Sequence, residues 1–164
     1  MTASQAESAA RALVSAWMAE LRDARISAGI SQSDVASAME VRRLTVLEWE
    51  NGQRFPALEH LLQFGRELGL RLVVEGGGAQ AFDGLAEIVA GESWVRGEIR
   101  RICAALRRAR RTGHRQSQAA VAKVVGVSLW SLANYERCQV NPRVIVLARW
   151  VRAVGCGARW QPIV

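Results

Sequence analysis

The sequence predicts a mainly α fold in which one small helical unit occurs twice, each copy closed by a short β-strand. Three observations carry this expectation. The chain has 164 residues, enough for one ordinary domain or two small ones. Shifted by 86 residues, Ala19–Gly69 aligns with Ala105–Gly155 without a gap, and fourteen of 51 positions are identical. A self-match at fixed spacing signals a repeated unit. Apolar residues recur at helical spacing between Gly, Asn-Gly and Pro punctuation.

The identities fall on apolar and punctuation positions. Ser31-Gln32 matches Ser117-Gln118, and Val35-Ala36 matches Val121-Ala122. Val41, Glu50, Pro56 and Gly69 match Val127, Glu136, Pro142 and Gly155. Val46 pairs with Leu132, Trp49 with Tyr135 and Phe64 with Trp150.

In the first unit, Leu13, Trp17, Leu21 and Ala24 lie on one helical face that ends at Gly29. Ser31 is a good N-cap, with Asp34 three residues on. Val35, Ala36 and Met39 form a second short helix. Arg42 to Glu50 forms a third, with Val46 and Trp49 inward and Asn51-Gly52 as its stop. Pro56 opens a fourth through Leu58, Leu61, Leu62, Phe64 and Leu68, stopped by Gly69. Leu70–Glu75 reads as a strand, and Gly76-Gly77-Gly78 breaks the chain. The linker Ala79–Gly91 has room for one short helix, Asp83–Ala90.

The second unit repeats the plan. Trp94 to Arg111 is its first helix, Ser117 caps the second, and Ser128 to Glu136 is the third. Pro142 precedes a fourth through Trp150 and Val154, and the tail Gly157–Gln161 stands where the first unit has its strand. The expected division is 1–75, a linker at 76–91, and 92–164. Trp17, Trp49, Trp94 and Trp150 sit at core spacing.

Composition excludes several classes. Half the residues are hydrophobic and 23% charged, unlike a disordered tail, a collagen-like fibre or a disulfide miniprotein. No apolar run approaches the ~20 residues of a membrane span. The N-terminal stretch is broken by Arg11 and Glu20, so no signal peptide is expected. Cys103, Cys138 and Cys156 form no C-x-x-C pair, which suggests free thiols in a cytoplasmic protein. Cys138, near a helix end, leaves room for a redox switch.

Charge is unevenly placed. Residues 1–78 carry 8 basic and 10 acidic side chains, and residues 79–164 carry 14 and 5. The net +7 thus resides in the second half and points to a polyanion partner. Every basic residue but Lys123 is arginine.

The run Arg25-x-x-x-Gly29-Ile30-Ser31-Gln32-x-x-Val35-Ala36 continues into Val41 and Val46-x-x-Trp49-Glu50-Asn51-Gly52-x-x-x-Pro56. It resembles the Cro/phage-repressor (lambda-repressor-like, XRE) helix-turn-helix family over residues ~15–69. The second copy, Ser117-Gln118-x-x-Val121-Ala122, Val127, Leu132-x-x-Tyr135-Glu136 and Pro142, is weaker but similar. Strand-forming residues after the fourth helix resemble the antitoxin branch, in which a strand from each subunit pairs across a dimer.

The resemblance implies that the third helix enters the major groove of double-stranded DNA, where base edges carry a full donor–acceptor code. Its reading residues are then Arg42, Arg43, Leu44, Thr45 and Glu48, with Arg42 and Arg43 suited to guanine and Glu48 to cytosine N4. Gln32 caps helix two beside a phosphate, and Asn51 and Arg54 flank the backbone. Arg25 and Glu50 are implied to form a structural ion pair, matched in the second unit by Arg111 and Glu136. There Arg107 falls on the core position of Leu21. A one-residue insertion would place Leu106 in the core and make Arg110 the partner of Glu136, and the sequence leaves this register open.

The second unit departs from the family. Its groove positions are Ser128, Leu129, Trp130, Ser131 and Asn134, and Asn134 is suited to adenine. Cys138 replaces the usual glycine at the position of Gly52, so that helix end is expected to be reshaped. Two readings follow. The unit binds DNA mainly through phosphates, using Arg107, Arg108, Arg110, Arg111, Arg115, Ser117, Gln118, Lys123 and Arg137, with Trp130 on a thymine methyl or a sugar. Alternatively, Leu129 and Trp130, with the linker segment Phe82–Val89, form a patch for a protein such as a toxin. The two strands pair within a monomeric pseudo-dimer, or swap between chains of a homodimer.

Enzymatic motifs are missing from the sequence. His60 and His114 have no Asp or Cys partner at catalytic spacing, and no Walker loop, zinc spacing or paired metal carboxylates occur. The expectation is a cytoplasmic, nucleoid-associated DNA-binding regulator, a repressor or an autoregulating antitoxin, with no enzymatic role, cofactor, metal or membrane association.

Overall fold

The N-terminal Ala/Ser-rich segment favours helix, so the first helix starts earlier than its apolar stripe. In the computed structural model, which describes residues 1–76, 89–113 and 115–164, α1 runs Ala3–Ser27. Thr2 caps it, accepting from Gln5 N while Gln5 Oε1 accepts from Thr2 N. α2 (Gln32–Ala38) begins at a reciprocal Ser31–Asp34 box. α3 is Arg43–Glu50, with Arg42 as N-cap, and α4 is Leu58–Glu67. Pro56 lies in the turn before α4 rather than opening it. β1 is Leu70–Gly76.

The second half follows the same order. α5 (Trp94–Arg108) is capped by Ser93 and runs into a π-helical turn, Ala109–Gly113. α6 (Gln118–Val125) and α7 (Leu129–Glu136) begin at Ser117 and Ser128, whose hydroxyls accept from Ala120 N and Ser131 N. α8 (Val144–Ala153) leads to β2 (Cys156–Pro162). Val89 and Ala90 are not helical. The remainder of the expected linker helix, Gly77, Gly78 and His114 lie outside the described residues.

The π-turn resolves the register of α5. It absorbs one extra residue, so Leu106 is buried in the core and Arg107 is exposed. Trp94, expected in the core, is only half-buried, beneath the Arg66 guanidinium 5.0 Å from its ring centroid.

Backbone conformation recurs at the 86-residue offset. Positive φ angles occur at Gly29 and Arg115, Glu40 and Gly126, Gly52 and Cys138, and Gly69 and Gly155. Cys138 adopts φ 57° where Gly52 has 78°. Its amide donates to Tyr135 O as that of Gly52 does to Trp49 O. The helix end is therefore not reshaped, and the side chain is accommodated in a left-handed position that disfavours a Cβ.

The strands form one antiparallel ladder, with Leu72 and Val74 turned to the core. Val73 faces Arg159, its own counterpart 86 residues on, so an approximate two-fold axis passes between them. Packing is reciprocal about this axis: α1 lies against α8 and β2, and α5 against α4 and β1. Trp17 Nε1 donates to Ala158 O (2.9 Å), and Arg101 Nη2 donates to Leu72 O, the carbonyl that stands 86 positions before that of Ala158.

The side chains around the axis are unlike. On one flank Trp160 Nε1 donates to Trp17 O (3.0 Å), and its ring covers Gly65 so closely that a Cβ there would lie 2.3 Å from it. On the other, Glu98 accepts from both Arg71 and Arg101. One apolar core runs through both halves.

Candidate nucleic-acid interface

The C-terminal end of α3 is held by a buried carboxylate, that of Glu50. Arg25 Nε donates to Glu50 Oε1 (2.6 Å) and Nη2 to Oε2 (2.9 Å), a bidentate pair. Arg25 Nη1 donates to Ile30 O (2.9 Å), and Gln32 Nε2 donates to Glu50 Oε2 (2.8 Å). This joins the end of α1, the start of α2 and the end of α3 at one point.

The second half holds the same set. Arg110 Nε and Nη2 donate to Glu136 Oε1 and Oε2 (2.6 and 3.1 Å), and Nη1 donates to Gln116 O (2.9 Å). Gln118 Nε2 donates to Glu136 Oε2 (2.7 Å). Three of the four residues or carbonyls stand 86 positions from their counterparts, and Arg110 stands 85, because the π-turn intervenes. The partner of Glu136 is thus Arg110. Arg111 is exposed and lies outside the pair. Arg110 is correspondingly removed from the residues expected on phosphates.

Both glutamines differ from expectation. Ser31 and Ser117 are the caps, while the amide nitrogens of Gln32 and Gln118 are bound to the buried carboxylates. These amides tie the start of α2 and of α6 to the carboxylates, and each NH2 keeps a second N–H beyond this bond.

On α3, Arg42, Arg43 and Leu44 are exposed at the N-terminal end, while Thr45 and Glu48 are half-buried beside them. Arg54 Nε lies 3.5 Å from Glu48 Oε2. Asn51 and Arg54 are exposed past the C-terminus of α3, where Asn51 Oδ1 accepts from Gln53 N. Of the side chains predicted to read bases and flank them, Arg54 and Glu48 are brought together, and Arg42, Arg43, Leu44, Asn51 and Arg54 are exposed. His60 stacks at a tilt on Trp49, with ring centroids 5.3 Å apart, and is half-buried.

On α7 the equivalent end carries Ser128, Leu129 and Trp130, with Trp130 72% and Leu129 51% exposed. Asn134 was expected to read adenine. It is buried instead, and its Nδ2 donates to Trp130 O (3.0 Å). A side chain one turn further along an eight-residue helix is turned to the core here. Arg115, Lys123 and Arg137 are exposed on the flanking segments. Arg107, Arg108 and Arg111 line, with Thr112, a surface hollow of about 440 Å³.

Sequence reasoning missed the Arg71–Glu98–Arg101 cluster. Its signal was present as two charged residues, Glu98 and Arg101, in the apolar stripe of Ile99, Ile102 and Leu106. Cys138 sits beside Cys103, whose hydrogen bond holds the Cys138 thiol down to about 7; burial pushes Cys156 up to about 11. Among the described residues no helix is long and apolar enough to cross a membrane, and no group of His, Cys, Asp and Glu is placed to hold a metal ion.

Residues 21–74 match the family model described as helix-turn-helix. Comparison with curated proteins and with solved structures finds no match. The matched segment spans the end of α1 through most of β1, the part that carries the Arg25–Glu50 pair and the exposed arginines. The match covers less than half of the chain; it supports a helix-turn-helix domain over these residues and suggests a DNA-binding transcriptional regulator.

Proposed function

We propose that the chain is a sequence-specific double-stranded-DNA-binding repressor that reads an asymmetric operator with two unlike helix-turn-helix heads held in one chain. The observation that carries this reading is the recurrence of the Arg–Glu–Gln lock at the base of α3 and of α7. The same device seats both helices, while their exposed ends differ in chemistry. Helix-turn-helix proteins commonly read two half-sites one turn apart, ~34 Å between centres, through dimer symmetry. Here the pairing of β1 with β2 supplies an approximate two-fold within the chain, so the units behave as a covalent pseudo-dimer. Unlike heads read unlike half-sites.

The exposed Leu129–Trp130 pair also favours a second reading, an antitoxin that binds a toxin through this patch and autoregulates through the first unit. The test is selection of binding sites from a random duplex library by the full-length chain, repeated with Arg43→Ala. A long asymmetric motif whose one half loses information in the variant supports two heads. A short motif erased entirely by Arg43→Ala supports the first unit as sole reader and favours the antitoxin reading. A sedimentation mass of two chains at low micromolar concentration would count against the monomeric pseudo-dimer. Residues 1–76 alone make a poor probe, because Trp17, Leu61 and Leu72 belong to a core shared with the second half.

A further inference from the structure

Resting on that reading, we propose that α7 recognises thymine methyl groups, so that the half-site under the second unit is A·T-rich, whereas the half-site under α3 carries guanine. The polar side chains at this end of α7 are bonded to one another or turned inward. Ser128 Oγ accepts from Ser131 N and donates to Ser131 Oγ (2.9 Å). Asn134, the one amide of the helix, is buried and donates to Trp130 O. Gln118, at the start of α6, gives its amide to Glu136. No guanidinium stands where α3 has Arg42 and Arg43, since the aligned residues are Ser128 and Leu129.

What remains outward is apolar: Leu129 and Trp130, the latter 72% exposed. In the major groove the only apolar feature of a base edge is the C5-methyl of thymine. An apolar helix tip discriminates there by burying that methyl, without a hydrogen-bond code. The surroundings favour DNA over a protein as the occupant. Arg115 ahead of α6, Lys123 on α6 and Arg137 just past α7 are all exposed cations. The 79–164 half carries 14 basic residues against 5 acidic, and although Arg101 and Arg110 are buried in ion pairs, exposed cations of this kind neutralise phosphates. The α3 surface is the internal contrast, with two exposed arginines suited to guanine O6 and N7.

The test uses the full-length chain and the duplex it selects from a random library. Each thymine is replaced by deoxyuridine, which removes only the methyl and leaves the protein unaltered. Within the half-site that loses information in Leu129→Ala and Trp130→Ala, each contacted thymine should weaken binding about fourfold when its methyl is removed, the worth of one buried methylene. The same uracils should have no further effect on Trp130→Ala or Leu129→Ala, whose exposed positions leave folding intact. A second half-site specified at G·C pairs, or indifferent to uracil, overturns the inference. So does a motif with no second half-site, which leaves α7 as a protein-binding face and the first unit as the reader. Failure to select any motif would instead overturn the DNA-binding reading itself.

Discussion

Truncating Arg110 to alanine should destabilise the chain severely, while truncating its neighbour Arg111 should do almost nothing. The Glu136 side chain is 1% exposed and accepts three hydrogen bonds, two from Arg110 and one from Gln118. Arg110→Ala removes two of them, leaves a buried carboxylate with one neutral donor, and strips Gln116 O of its partner. Breaking a buried pair from one side costs about 3–5 kcal/mol. That is a large share of the ~5–15 kcal/mol that holds a typical fold. For a chain of this size it corresponds to a fall in Tm of roughly 6–20 °C. Arg25→Ala should behave alike in the first unit, where the Glu50 side chain is 3% exposed. The measurement is thermal unfolding of the full chain by circular dichroism at neutral pH. Arg111→Ala should melt with the parent. An Arg110→Ala melt matching the parent, or a larger loss for Arg111→Ala, would refute both the register of the π-turn and the role given to the lock.

Three other outcomes are expected. Gly65→Ala should cost about 1–3 kcal/mol, because the new methyl displaces the Trp160 indole; combining it with Trp160→Leu should recover part of the loss, and additive losses would rule out that clash. Burial opposes ionisation of Glu98, but hydrogen bonds from Arg101 and Arg71 outweigh it and hold the carboxyl below its ordinary value. A depressed folded-state pKa gives stabilisation that is present above the unfolded value and lost as pH falls below about 4.5. A Tm–pH curve for Glu98→Gln should therefore be flatter than the parent's in that range, and parallel curves would contradict it. Alkylation of Cys138 should rise with a midpoint near 7, and that of Cys156 only toward 11; peptide mapping by mass spectrometry that finds Cys156 modified first would contradict these environments.

Much of the fold was legible because the elements obey local rules. Serines at 31, 117 and 128 cap helices, and apolar residues at helical spacing fill the core. Repetition at a fixed offset revealed the second copy of the plan without reference to any other protein. The α5 register was not decided by sequence, since a π-turn has no compositional mark and only the burial of Leu106 against Arg107 selects it. Cys138 was misjudged because residue type predicts left-handed backbone only statistically, and the surrounding helix end imposed it. Asn134 was misjudged because eight residues make barely two turns, so one residue's rotation separates groove from core. The contacts about the two-fold axis were invisible, because they join residues up to 143 positions apart.

Those distant contacts bear on why the two halves stay unlike. If two first units were to pair through their own strands, the position of Glu98 would be taken by Leu13, allowing for the π-turn, and Arg71 would face an apolar side chain. Val74 would stand in place of Trp160, leaving a void over Gly65 where the indole now sits. Leaving a half-buried guanidinium without its carboxylate and opening a cavity both disfavour that association. The pairing that gives Arg71 its carboxylate and fills the space over Gly65 is between one first half and one second half. The linker makes that encounter intramolecular, at an effective concentration no free partner matches when the geometry permits. An exposed guanidinium face on α3 is thereby tied to an apolar face on α7. The asymmetry of the core and the asymmetry of the exposed ends of α3 and α7 are then one property of the chain, because a symmetric pairing of two first units would lose both.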